Sequence, residues 1–188
     1  MFEGRHLIDG ELTLGEGGVA GDWIESHEPA TLKPLGRVPV ATATDVDHAV
    51  QAAARAQRAW VGLSVWERAT RLRALAAAVR ARGGEILSLE ARDTGNTIGK
   101  LRADIEIAAG YLEYFAGLGS ELKGETIPAT ARGLHYTVHE PYGVVARIVP
   151  FNHPFMFAAA HLAAPLMAGN AVVVKTPETS PLSGSVLG

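Results

Sequence analysis

The sequence contains no cysteine, which excludes disulfides and thiolate metal sites in this chain without by itself assigning a redox compartment. It also has little excess charge of either sign. A net charge of −3 gives no overall basic field for nucleic acid or an anionic membrane, so neither is an expected partner. No stretch approaches the roughly 18 uninterrupted apolar residues of a membrane span, and the opening MFEGRHLIDG lacks the basic region and apolar core of a signal peptide. The expected compartment is the cytoplasm. Internal repeats and low-complexity linkers are missing as well. Apolar material is ample: at 47% of 188 residues it can bury a sizeable core, as one domain or two small ones.

Residues 1–43 carry frequent turn formers, among them Gly10, Gly15, Gly21, Pro29, Pro34 and Pro39, between short apolar pieces such as Leu7-Ile8 and Trp23-Ile24. Short strands and loops are expected there. Residues 44–120 read as helical. Thr44 is the expected N-cap of a first helix with Asp45 and Asp47 in its first turn, followed by Val46, Ala49, Val50, Ala53 and Trp60 on one apolar face. Ser64 and Glu67 form a capping box for a second helix that buries Trp66, Ala69, Leu72, Leu75 and Val79, and Gly83-Gly84 should end it. Helical turns from Glu85 to Arg92 and a helix from about Ile98 to Leu118 follow, the latter burying Leu101, Ile105, Ala109, Leu112 and Phe115, with Gly119 as its close. In residues 121–142 the stretch Leu134 to His139 alternates as a strand does.

Residues 143–188 are the most informative. Val144 to Val149 is nearly continuous in Val and Ile, as expected of a central strand covered on both faces. Pro150 stops it. Pro154 suits the first turn of a helix reaching about Met167, Gly169 can take the positive φ of a C-cap, and Ala171 to Lys175 returns as a second, β-branched strand. A strand, crossover helix and strand of this length make a βαβ unit. Ligands bind outside the carboxyl ends of strands in open parallel sheets, so Asn152 and Lys175 should line one edge, with Glu178 three residues further on. An amide donor can stabilise charge developing on a carbonyl oxygen, while an ammonium and a carboxylate can bind hydroxyls. The Pro150–Pro154 turn has no Gly-x-Gly-x-x-Gly, so a dinucleotide could not lie against it in the usual Rossmann manner.

The strand, the P-[WF]-N-x-P turn, A-G-N and V-V-x-K-x-x-E-x-[TS]-P-L-S occur here in order and resemble the NAD(P)-dependent aldehyde dehydrogenases. The likeness runs upstream through Asp93-Thr94-Gly95, the Ala-rich helices and Ile8-Asp9-Gly10. It implies an α/β, aldehyde dehydrogenase-like fold: N-terminal helices plus the first βαβ unit of a Rossmann-type parallel sheet, truncated. It divides the chain into N-terminal strands and loops (1–43), a helical part (44–120), oligomerisation-arm strands (121–142) and the first part of an NAD-binding domain (143–188). The implied activity is NAD-dependent oxidation of a small-molecule aldehyde to a carboxylic acid by the full-length protein. Asn152 would supply the oxyanion-hole amide and Lys175 and Glu178 would contact the adenosine ribose. Ile148, Pro150, Phe151 and Asn152 would form part of the cofactor cleft. Glu178 would repel a 2′-phosphate, favouring NAD over NADP. The family attacks its aldehyde with a cysteine thiolate and deacylates with a glutamate base, both beyond the matched segment. The chain therefore reads as the front of such an enzyme, inactive alone, whether a piece of a longer protein or a shortened one. A homo-oligomer, dimer or tetramer, is implied by the arm strand. The alternative is a degenerate relative serving as a non-catalytic NAD-binding or oligomerisation module.

Blander readings compete at several positions. Asp93-Thr94-Gly95 is the tripeptide of aspartic proteases, but it lies between helical segments without a second copy, so a turn is expected. Arg55, Arg58, Arg68, Arg71, Arg73, Arg80 and Arg82 are scattered around two helices, which fits a solvated or subunit-facing surface better than a nucleic-acid stripe. His135 and His139 share a strand face without a third metal ligand, and His153 and His161 are equally weak as ligands. Asn152 could simply make a turn, with Lys175 snorkelling and Glu178 opening a helix.

Overall fold

The computed structural model describes residues 1–130 and 132–188; Ala131, within the expected arm, lies outside the described residues. The N-terminal part holds strands β1 (Phe2–Glu3), β2 (His6–Ile8), β3 (Glu11–Thr13), β4 (Trp23–His27) and β5 (Pro34–Pro39), with a short helix α1 (Gly15–Ala20) that the glycine-rich sequence did not announce. Strand β5 pairs in parallel with β1 and antiparallel with β4, and β2 and β3 form a hairpin.

Helices α2 (Ala43–Val61), α3 (Val65–Ala81), α4 (Gly83–Thr94) and α5 (Ile98–Gly117) follow. The N-cap of α2 is Thr42, not Thr44: its hydroxyl accepts from the Asp45 amide while the Asp45 carboxylate accepts from the Thr42 amide. Ser64 and Glu67 make the same reciprocal cap for α3. Gly83-Gly84 do not end α3. They open α4, because the chain turns at Arg82 and resumes helical geometry at once. The buried stripe of α3 is Ala69, Leu72, Ala76 and Val79, and Trp66, roughly a quarter turn away, is exposed. On α2, Val46 and Val50 also face solvent, and Ala52 is buried.

The core lies where α3 and α5 cross, lined by Leu72, Ala76, Ala108, Ala109 and Leu112, and extends to Phe155, Ala159 and Met167. Alanines on both helices allow close backbone approach, and the larger side chains fill the space this leaves. Arg68 is buried in this region and is not a surface residue: it donates to the carbonyl oxygens of Val61, Leu63 and Met167. Arg80 pairs with Glu106 and Glu113, Arg82 with Glu85, and Arg55 with Asp9, so carboxylates take up much of the arginine charge.

Beyond a 3-10 turn (Gly119–Glu121), β6 (Thr126–Thr130) and β7 (Gly133–Tyr136) form an antiparallel hairpin exposing Ile127, Leu134 and Tyr136. Strand β8 (Val144–Ile148) pairs in parallel with β9 (Ala171–Lys175), from Val144 opposite Ala171 to Ile148 opposite Lys175. Among the described residues β8 has no second partner strand, and Ile148 is 72% exposed, so the run suited to two-sided cover meets solvent within this chain. The crossover is two helices, α6 (Pro154–Ala160) and α7 (Ala163–Met167), separated at His161-Leu162. Pro165 accounts for the break, since it has no N–H to donate to the His161 carbonyl and its ring crowds that oxygen. Gly169 (φ +89°) closes α7 with paired bonds, its own amide to Leu166 and the Asn170 amide to Pro165. The chain continues through α8 (Leu182–Leu187). Among the described residues no helix is long and apolar enough to cross a membrane.

Candidate functional site

Parallel pairing brings the carboxyl ends of β8 and β9 to one edge. The Val149 amide still donates to the Lys175 carbonyl at 3.0 Å, so the turn beginning at Pro150 and the loop beginning at Thr176 leave the sheet side by side. Pro150, Phe151 and Asn152 are exposed on this edge. Two side chains from elsewhere brace the turn: Asn96 Nδ2 donates to the Asn152 carbonyl (2.8 Å) and Ser180 Oγ to the Phe151 carbonyl (3.2 Å). The Asn152 backbone is thus held while its amide stays at the surface. Lys175 and Glu178 form an ion pair, 51% and 66% exposed, and the ammonium keeps the Glu178 carboxyl below the usual carboxylate range. The sheet therefore brings Asn152, Lys175 and Glu178 to one rim, with Ile148 and Phe151 exposed beside them.

Buried polar groups position this rim. Asn170 Oδ1 accepts from the Gly143 amide (3.0 Å) and its Nδ2 donates to the Pro165 carbonyl (3.1 Å), tying the start of β8 to the crossover. His153, the N-cap residue of α6, places Nδ1 2.6 Å from Asp104 Oδ2 on α5. On α4, Glu90 Oε1 accepts from the Phe155 amide (3.0 Å), and Asp93 Oδ2 from the Leu182 amide (2.9 Å) and Oδ1 from Ser26 Oγ. Asp93-Thr94-Gly95 is thus the end of a helix, with Gly95 (φ +74°) as its left-handed cap, and its carboxylate serves the start of α8. His161 stacks edge-on to Phe157, and burial with the nearby Arg147 charge pushes its ring below the ordinary imidazole value.

Asn96, Ser180, Glu90 and Asp93 were not readable as site supports from local pattern. One signal was available: Ile86, Glu90 and Asp93 follow helical spacing, so the buried stripe of α4 continues into carboxylates. Buried carboxylates need donors, and free helix amides are the nearest supply.

With this geometry, the chain belongs to the aldehyde dehydrogenase family, whose model matches residues 18–188. It is 44% identical over 162 residues to aldehyde dehydrogenase tropH of Talaromyces stipitatus, covering 85% of this chain and 32% of that one. The NAD+ complex of an aldehyde dehydrogenase from Bacillus cereus superimposes with a TM-score of 0.92 at 33% identity, over 99% of this chain and 38% of that one. A structure described as an E. coli NADP dependent enzyme gives 0.90 at 31% identity, with 99% and 38% covered. The chain thus spans roughly a third of the length of the relatives it matches. Its α/β architecture is that of the corresponding part of a Rossmann-like aldehyde dehydrogenase.

Proposed function

We propose that this chain supplies one wall of an NAD cleft and the carbonyl-polarising corner of an enzyme that oxidises a small aldehyde to a carboxylic acid. The observation that carries the reading is the register of β8 on β9, which puts Asn152 and the Lys175–Glu178 pair on the same rim. The donor set suits a dinucleotide: an ammonium and a carboxylate, both half-open to solvent, can exchange their mutual bond for ribose hydroxyls. NAD, when bound, accepts the hydride. Lys175 donates to a ribose oxygen, Glu178 accepts from the diol and disfavours a 2′-phosphate, and Ile148, Pro150 and Phe151 give the apolar side of the cleft. Asn152 offers its side-chain N–H to the aldehyde oxygen, lowering the cost of negative charge there during attack by a nucleophile. This chain has no cysteine to make that attack, so alone it should form no NADH with any aldehyde. The exposed Ile127, Leu134 and Tyr136 of the β6–β7 hairpin favour a homo-oligomeric assembly through that arm. Calorimetric titration with NAD tests the cleft: the native chain binds and Lys175→Ala binds more weakly, whereas equal affinity would remove Lys175 from the site.

A further inference from the structure

We propose that Glu90 is a positioning residue for the Asn152 turn, its carboxylate holding the first turn of α6 and setting the place of the Asn152 amide according to its protonation.

The geometry starts from α6, which has no side-chain cap of its own. His153, at the N-cap, makes no capping bond and turns its ring to Asp104, and Pro154 has no N–H. The Phe155 amide, three residues beyond Asn152, is instead taken by Glu90 Oε1 across from α4. Glu90 is 2% exposed. Its second oxygen, Oε2, makes no hydrogen bond, and neither does the buried Ser183 Oγ of α8, although the hydroxyl is near enough to act on the Glu90 charge. The space bounded by Glu90, Asp104, Ile105 and Phe155 leaves no room for a water molecule.

Ionisable neighbours face Glu90 from two elements. Asp93 lies one turn along α4, and Asp104 on α5 is already engaged with His153. At the turn between α3 and α4, Arg82 pairs with Glu85 in the first turn of α4, and α8 brings a hydroxyl and an amide with no ionisable side chain. Burial, reinforced by the Asp93 and Asp104 charges, pushes the Glu90 carboxyl up to about 7, against the hydrogen bond from the Phe155 amide and the influence of the nearby Ser183 hydroxyl. The ionised carboxylate is the stronger acceptor and grips α6. The protonated form accepts more weakly from Phe155 and gains an Oε2–H, for which Ser183 Oγ is the available acceptor. One proton thus moves the hold of α4 from α6 towards α8.

The role matters only if Asn152 is a site residue, as proposed above, but its test needs neither cofactor nor aldehyde, so failure of NAD binding and failure of this inference are separate results. In the 15N-labelled chain, the Asn152 side-chain amide and the Phe155 backbone amide should shift with one shared midpoint near neutrality. Glu90→Gln should abolish that titration, and His153→Gln should retain it, separating the carboxyl from the nearby imidazole. Asp93→Asn should retain the titration with a lower midpoint, because a repelling charge has gone; this variant decides the matter should Glu90→Gln fail to fold. A stationary Asn152 signal, a titration that survives Glu90→Gln or disappears in His153→Gln, or an unmoved midpoint in Asp93→Asn would overturn the proposal.

Discussion

Replacing Glu90 by glutamine should make the protein more stable above neutral pH and leave it nearly unchanged in mild acid. The carboxyl is raised from 4.5 to about 7 on folding, chiefly by burial. The sign follows from linkage: below the lower value both states hold the proton and there is no cost. Between the two, the folded state keeps a proton that the unfolded state has released, so stability falls as pH rises. Above the folded value the whole cost is present, and a gap of this size corresponds to about 3 kcal/mol at 1.36 kcal/mol per unit. Asp93, also raised by burial, adds to the trend with the same sign. Glutamine keeps the acceptor for the Phe155 amide and can donate to Ser183 without carrying charge. Urea unfolding should therefore give nearly coincident midpoints near pH 4 and a variant midpoint higher by roughly 1–2 M at pH 8. Equal destabilisation of the variant at both pH values would show that Glu90 is not buried as a costly ion, and would refute the reasoning.

Two other substitutions test the helical part. Arg68→Ala leaves the Val61, Leu63 and Met167 carbonyls without their donor and should cost about 2–4 kcal/mol in urea unfolding, while Arg71→Ala on the exposed side should stay within about 0.5 kcal/mol. Thr42→Ala removes one half of the α2 capping box and should cost about 1 kcal/mol, with Thr44→Ala markedly less; the reverse order would move the cap back to Thr44.

What was legible in the sequence was what short-range chemistry decides. The Ser64–Glu67 box, the positive φ of Gly169 and the β-branched run Ala171–Lys175 each specify their conformation within a few residues, and each stands as expected. Local cues misled where two neighbours offered the same chemistry: Thr42 and Thr44 each have an aspartate three residues on, Asp45 and Asp47, and it is Thr42 and Asp45 that close the box. Gly83-Gly84 can end a helix or open one, and contact between α4 and its neighbours chose the second. The crossover breaks because Pro165 lacks a donor, which the apolar periodicity around it does not register. At the site, the rim positions of Asn152, Lys175 and Glu178 followed from strand topology, which the spacing encodes. Their supports did not. Glu90 to Phe155, Asp93 to Leu182 and Asn96 to Asn152 join residues 65, 89 and 56 positions apart, and such distances leave no mark on a local pattern.

Calorimetric titration with NAD and NADP, on the native chain and on Lys175→Ala, addresses the central claim of a cofactor rim most directly. The expected result is NAD binding in preference to NADP, weakened about tenfold or more when the ammonium is removed, in line with a charge-assisted bond of roughly 1.5–3 kcal/mol. Binding of both cofactors with equal strength and no response to Lys175→Ala would contradict it.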